Sequence, residues 1–184
     1  TFGSQGQPRR TVEAVVGSLR DTSRSEEMEA ALGELARLVE RQRSLADMVA
    51  SEGGIPSLVD LAGRASQKTK EQAIAVLRKV ANASAANGDQ IARAGGLAPI
   101  LKAVVNSGSA TPQLRLTSCY ALAALARGNP ANQAAIAKGG AVAALVKLLS
   151  AESAGGGAGA GGRGGRGSPD RGGGGGGSDE VDLR

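Results

Sequence analysis

Three stretches of the chain are near copies of one another: MVASEGGI at 48–55, QIARAGGL at 90–97 and AIAKGGAV at 135–142. Each is a short apolar-periodic run closed by glycine, the residue best suited to the left-handed conformation in which helices stop. A single globular core has no reason to repeat a helix end at such intervals. Self-similarity with a period of roughly 20–50 residues is the mark of an array whose units stack only on their neighbours. The register extends beyond the glycines. Leu32, Leu77 and Leu122 are 45 residues apart, as are the pairs Leu35/Ala36, Val80/Ala81 and Leu125/Ala126, while Val49, Ile91 and Ile136 are spaced 42 and 45. The three-residue slack belongs to a loop, where insertions cost little.

Each unit reads as three helices. The first is short and ends at glycine, as in NGDQIARAGG, with Asn87 expected as its N-cap and Gly95 as its left-handed terminus. The second carries apolar residues at i, i+3 and i+4: Ile55, Leu58, Val59; Leu97, Ile100, Leu101; Val142, Leu145, Val146. Pro56 and Pro99 fall in its first turn, where a missing N–H is harmless. The third and longest carries Ala73, Ile74, Leu77, Val80 and Ala81 in one copy and Ser118, Cys119, Leu122, Leu125 and Ala126 in the next. Thr111 before Pro112 predicts where that helix starts, and Ser23 with Glu26 has the capping-box pattern for its upstream counterpart.

These residues resemble the armadillo repeat. NPANQAAIAKGGAVAALVKLL at 129–149 is the clearest stretch, and the third helices follow the spacing AxxALxxLA. HEAT repeats, the other common helical array, lack the glycine-marked short helix. The resemblance covers about residues 11–150: a partial unit at 11–40, complete units at 41–84 and 85–128, and a partial unit at 129–150. It implies an all-α, right-handed superhelical solenoid whose third helices line a concave groove for segments of other proteins. Fold membership alone names no single role.

On either side of the array the composition changes. Residues 1–10, TFGSQGQPRR, read as a disordered leader, and residues 151–184 contain 15 of the 29 glycines and read as a disordered tail or linker. The tail holds four Arg against five acids, so of the formal +5 a net +6 falls on residues 1–150. Between Asp89 and Glu152 there is no acid, while Arg93, Lys102, Arg115, Arg127, Lys138 and Lys147 lie there. Such a balance favours acidic or mixed-charge protein segments as partners. The bases neither cluster nor alternate with aromatics, which makes nucleic acid the second choice. That second reading would use the basic third unit and the tail, whose RGGRGSPDRGG at 163–173 resembles the arginine-glycine boxes of RNA-associated proteins. A further alternative is the recruiting region of a ubiquitin ligase.

Several chemistries are excluded by residue counts. With no histidine and one cysteine, there is no His-dependent triad, no intramolecular disulfide and no thiolate or imidazole metal site. No stretch has the spacing of a phosphate-binding loop. Glu26, Glu27 and Glu29 read as a solvated first helical turn. No enzyme, cofactor, metal or small-molecule substrate is expected. Cys119, among apolar neighbours, is expected as a small buried hydrophobe. No apolar run is long enough to span a bilayer or serve as a secretory signal, so the cytoplasm or nucleus is the expected location.

The resemblance also places the groove. In the import-receptor branch of the family the third helix presents a ladder of Asn with Trp one turn earlier. The matching positions here hold Glu34, Lys79 and Ala124 for Asn, and Ala30, Ala75 and Tyr120 for Trp, so that ladder is missing. Along the same face lie Gln72, Ala75, Lys79 and Asn82 in one unit and Thr117, Tyr120, Ala124 and Arg127 in the next. The expected partner-binding residues are therefore Gln72, Lys79, Asn82, Thr117, Tyr120 and Arg127, with Tyr120 as the anchor because it joins a large apolar body to a hydrogen-bonding tip.

Overall fold

A computed structural model describes residues 6–20, 25–106 and 108–155, and every regular element among them is a helix. In chain order these are α1 (Gly6–Ser18), α2 (Ser25–Arg41), α3 (Leu45–Ser51), α4 (Gly54–Arg64), α5 (Gln67–Ala83), α6 (Ala85–Arg93), α7 (Leu97–Val105), α8 (Pro112–Ala126), α9 (Pro130–Lys138) and α10 (Ala141–Gly155). Two shorter helices followed by one long helix recur through α3, α4, α5 and again through α6, α7, α8. The long helices α2, α5 and α8 stack side by side, and α5 against α8 is the most extensive of all the helix pairings.

Two expected boundaries move. The helix α1 begins at Gly6, inside the stretch read as a leader, because Pro8 falls in a first turn that has no use for its N–H. At the other end α10 continues past Ser150 to Gly155, since Ala151, Glu152 and Ala154 suit a helix and only the glycines beyond do not. The tail from 156 onward, and Ser23 of the expected capping box, lie outside the described residues.

Glycine ends the short helices in the same way three times. Gly53, Gly95 and Gly140, at one position of the repeat, have φ of 75°, 83° and 81°, a region that only glycine enters freely. The residue after it is restricted by packing. A Cβ on Gly96 would lie 2.6 Å from Ile91 Cγ2 and 3.2 Å from Val59 of the preceding unit, and one on Gly54 would lie 2.8 Å from Val49 and 3.2 Å from Val16. In the last unit this position is Ala141, which is fully buried.

Helix starts are capped from side chains. Ser66, Ser84, Thr111 and Asn129 each accept the amide of the residue three positions on. Asn87 is therefore not the cap of α6, as expected; Ser84 is. Ser84 is the only residue between α5 and α6, which places Asn87 in the first turn, buried, where its amide donates to Val80 O at 3.3 Å and Asp47 Oδ1 at 2.8 Å. Asn132 repeats the arrangement by donating to Leu125 O at 2.9 Å. Both satisfy carbonyls that the end of the preceding long helix leaves open.

The core is aliphatic and continuous. Leu32, Leu77 and Leu122, the central residues of the long helices, are 0%, 1% and 4% exposed. Polar bonds then tie each unit to the next: Lys68 to Glu29 at 2.6 Å, Lys79 to Glu40 at 2.6 Å, Asn87 to Asp47, and Asn129 to Asp89. The pattern stops at α10. Its Val142, Leu145, Val146 and Leu149 are exposed, whereas Ile100 and Val104 at the repeat positions of Leu145 and Leu149 are fully buried in α7. Among the described residues no single helix is long and apolar enough to cross a membrane. Only α9 and α10 together approach that, and they are bent by 61°.

Candidate interaction surface on the third helices

The long helices determine what the expected groove residues can do. On α8, Leu116, Tyr120, Ala123 and Arg127 form the exposed stripe, while Thr117 and Ala124 are buried. Helical geometry explains the split. At about 100° per residue, Tyr120 and Arg127 lie roughly 40° and 60° to one side of Ala124, and Thr117 about 20° to the other. The open arc is thus rotated from the one centred on Ala124. Thr117 is corrected accordingly: it is a wall of the helix–helix contact, not a group presented to a partner.

Tyr120 is 56% exposed, and the Arg78 guanidinium of α5 lies 5.8 Å from its ring centroid. A cation at this distance from the ring is attracted by its quadrupole and holds it upright. Arg78 Nε is buried with no hydrogen-bond partner, and so is Oε1 of Gln72, which is half-buried on the same helix. Arg78 was absent from the expected set because it sits between the arc of Leu77, read as packing, and the arc of Lys79, read as groove.

Lys79 is occupied. Its ammonium meets Glu40 at 2.6 Å, with only 19% of the lysine side chain exposed. The hydrogen bond and charge of Lys79 hold the Glu40 carboxyl below the usual glutamate range. Lys79, expected among the partner-binding residues, is thus engaged as a tie between α2 and α5. Asn82 and Arg127 are brought together. They line a cleft of about 300 Å³ at the C-terminal ends of α5 and α8, with Arg43, Ala124, Leu125 and Asn129. Arg43 also donates to the Asn82 carbonyl oxygen. Tyr120 lies about two turns before Arg127 on the same stripe. The surface therefore combines one aromatic ring, the guanidinium groups of Arg78, Arg43 and Arg127, and the Asn82 and Asn129 amides.

Among the described residues no three of Asp, Glu and Cys converge on a point that would hold a metal ion. Cys119 is half-buried instead of fully enclosed, since α8 turns it toward the edge of the contact. Burial pushes its thiol above the usual cysteine value, and Arg115 offsets this only in part.

No protein-family model matches the sequence, and no curated protein matches it. Solved structures do. A designed armadillo repeat protein in complex with the peptide (KR)4 superposes with a TM-score of 0.67 at 23% identity, over 75% of this chain and 56% of that one. Computationally designed armadillo repeat proteins for modular peptide recognition give 0.66 at 24% identity, over 75% and 56%. An engineered protein gives 0.68 at 27%, over 75% and 54%. The chain thus spans a little over half the length of these proteins. Helix order, glycine-ended short helices and superposition agree that over about three quarters of its length this chain has an armadillo-like repeat fold.

Proposed function

We propose that the chain is a non-enzymatic scaffold that holds an acidic or mixed-charge segment of a partner protein against its third helices. The observation that carries this is Tyr120, an aromatic side chain left 56% exposed and backed by a guanidinium group, on a stripe that ends in an arginine-lined cleft. A buried tyrosine would serve packing. An exposed one, held by a neighbouring cation, offers rigid contact area at little entropic cost. The designed protein noted above is in complex with a lysine- and arginine-bearing peptide. The third helices here present Arg78 and Arg127, so the complementary segment carries acids.

Partners recovered by pull-down with the full chain supply the ligand, and affinities are then measured for Tyr120→Ala and Arg127→Glu. Both positions are exposed, so both variants are expected to keep the thermal midpoint of the parent. Truncating a true anchor costs about 2 kcal/mol or more of binding. Unchanged affinity in both variants would remove this surface from the function.

A further inference from the structure

Two clefts at the opposite ends of the long helices, where α5 and α8 begin, are copies of each other. The first, about 290 Å³, is lined by Gly63, Lys70, Ile74, Lys102, Ala103 and Leu114. The second, about 310 Å³, is lined by Val104, Gly108, Arg115, Ala144, Lys147 and Leu148. Adding the 45-residue repeat to Gly63, Lys70, Lys102 and Ala103 gives Gly108, Arg115, Lys147 and Leu148. Each cleft therefore has one cation from the first half of a long helix, one from the second helix of a unit (Lys102 in α7, Lys147 in α10), and an aliphatic floor.

The cations are unneutralised. Among the described residues none of Lys70, Lys102, Arg115 and Lys147 is in an ion pair, and the first turns of α5 and α8 carry no acid. The feature is not a general property of the repeat. In the preceding unit the position of Lys102 holds Asp60, paired with Arg64 at 2.7 Å, and that of Lys70 holds Ser25. Charge is thus inverted at one end of the array and doubled at the other. From Lys70 to Lys79 along α5 is about 13 Å at 1.5 Å per residue, and the cleft lined by Asn82 and Arg127 lies beyond; on α8 Arg115 precedes Tyr120 by about 7.5 Å, so these clefts are separate from the Asn82 cleft and lie before Tyr120 along the helix.

We infer that the paired clefts form a second docking surface, for an acidic segment that inserts an aliphatic side chain into each floor while its carboxylates meet the flanking cations. Its spacing follows from the helices. Packed helices lie about 8–10 Å apart, which an extended chain covers in roughly three residues. The segment accordingly carries acids at every third position. Nucleic acid fits less well, because neither cleft contains an aromatic ring to stack on a base and the floors of Ile74, Leu114, Ala103, Val104 and Leu148 offer nothing to hydrogen-bond.

The probe is a fluorescein-labelled peptide of four Asp-Leu-Ser triplets, titrated with the full chain by fluorescence polarisation, with labelled oligo-dT in parallel. The parent chain is expected to bind the peptide. The exposed pair Lys102→Glu and Lys147→Glu together are expected to weaken it by about tenfold or more, while Tyr120→Ala leaves it unchanged. That last control separates failure here from failure of the surface proposed above. Equal affinity in the double variant overturns the inference, as does binding that vanishes when residues 156–184 are removed, which would place the site in the tail. Tighter binding of oligo-dT than of the peptide, with a steep loss in salt, overturns it in favour of nucleic acid.

Discussion

Glycines with opposite roles occur in this chain, and a single methyl group distinguishes them. Gly96 has Ile91 Cγ2 and the Ile91 carbonyl within 2.9 Å of where its Cβ would stand, so Gly96→Ala forces α6 and α7 apart. Overpacking of this kind costs about 1–3 kcal/mol. Gly17, exposed in α1, has nothing within 4 Å, and Gly17→Ala removes backbone freedom from the unfolded chain with no clash to offset it. Its expected gain is about 0.5–1 kcal/mol. Urea denaturation of the two variants checks both signs, and a stabilised Gly96→Ala would mean that the short-helix turn is looser than described. At this scale the sequence was readable for Gly95, whose left-handed φ follows from its place after a periodic run. It was not readable for Asn87, because an asparagine near a helix start has two uses. Which one applies depends on a one-residue connection that periodicity does not reveal.

Among the elements, α5 carries the greatest burden, packing on α2, α4, α6 and α8 at once. Leu77 lies at its centre, 1% exposed, and Leu77→Ala is expected to cost about 2–5 kcal/mol in denaturant titration, a large share of what a small array has. A loss below 1 kcal/mol would mean that the neighbouring helices close over the cavity. Helix order and ends were legible here because i, i+3, i+4 runs alternate with glycine, proline and hydroxyl caps. Rotational phase was not. The helix α8 reads PQLRLTSCYALAALA, apolar on nearly every side, so the pattern leaves open which arc meets α5. That is why Tyr120 and Arg127 emerged from the sequence as surface residues together with Thr117, which is buried.

For the molecule as a whole, stability is graded along the chain. The middle helices are covered from both sides, whereas α10 has packing on one side only and leaves Val142, Val146 and Leu149 more than half exposed. In arrays governed by nearest-neighbour terms, a helix with fewer packed neighbours opens before those in the middle. Amide exchange in α9 and α10 is expected to be faster than in α5 and α8, and Leu77→Ala is expected to accelerate exchange in the units on both sides. Exchange that changed only within residues 67–83 would contradict stacking as the source of stability.

The bonds from Glu29 to Lys68, Glu40 to Lys79, Asp47 to Asn87 and Asp89 to Asn129 span 39 or 40 residues each. They connect adjacent units, so a duplicated block of about one repeat would bring its own donor for the unit before it and its own acceptor for the unit after. A recombination event in phase with the repeat need not disrupt the joint at which it inserts. Lineages of such a chain can therefore change the length of the molecule far more readily than its cross-section, and so extend the surface of its third helices without redesigning how they stack.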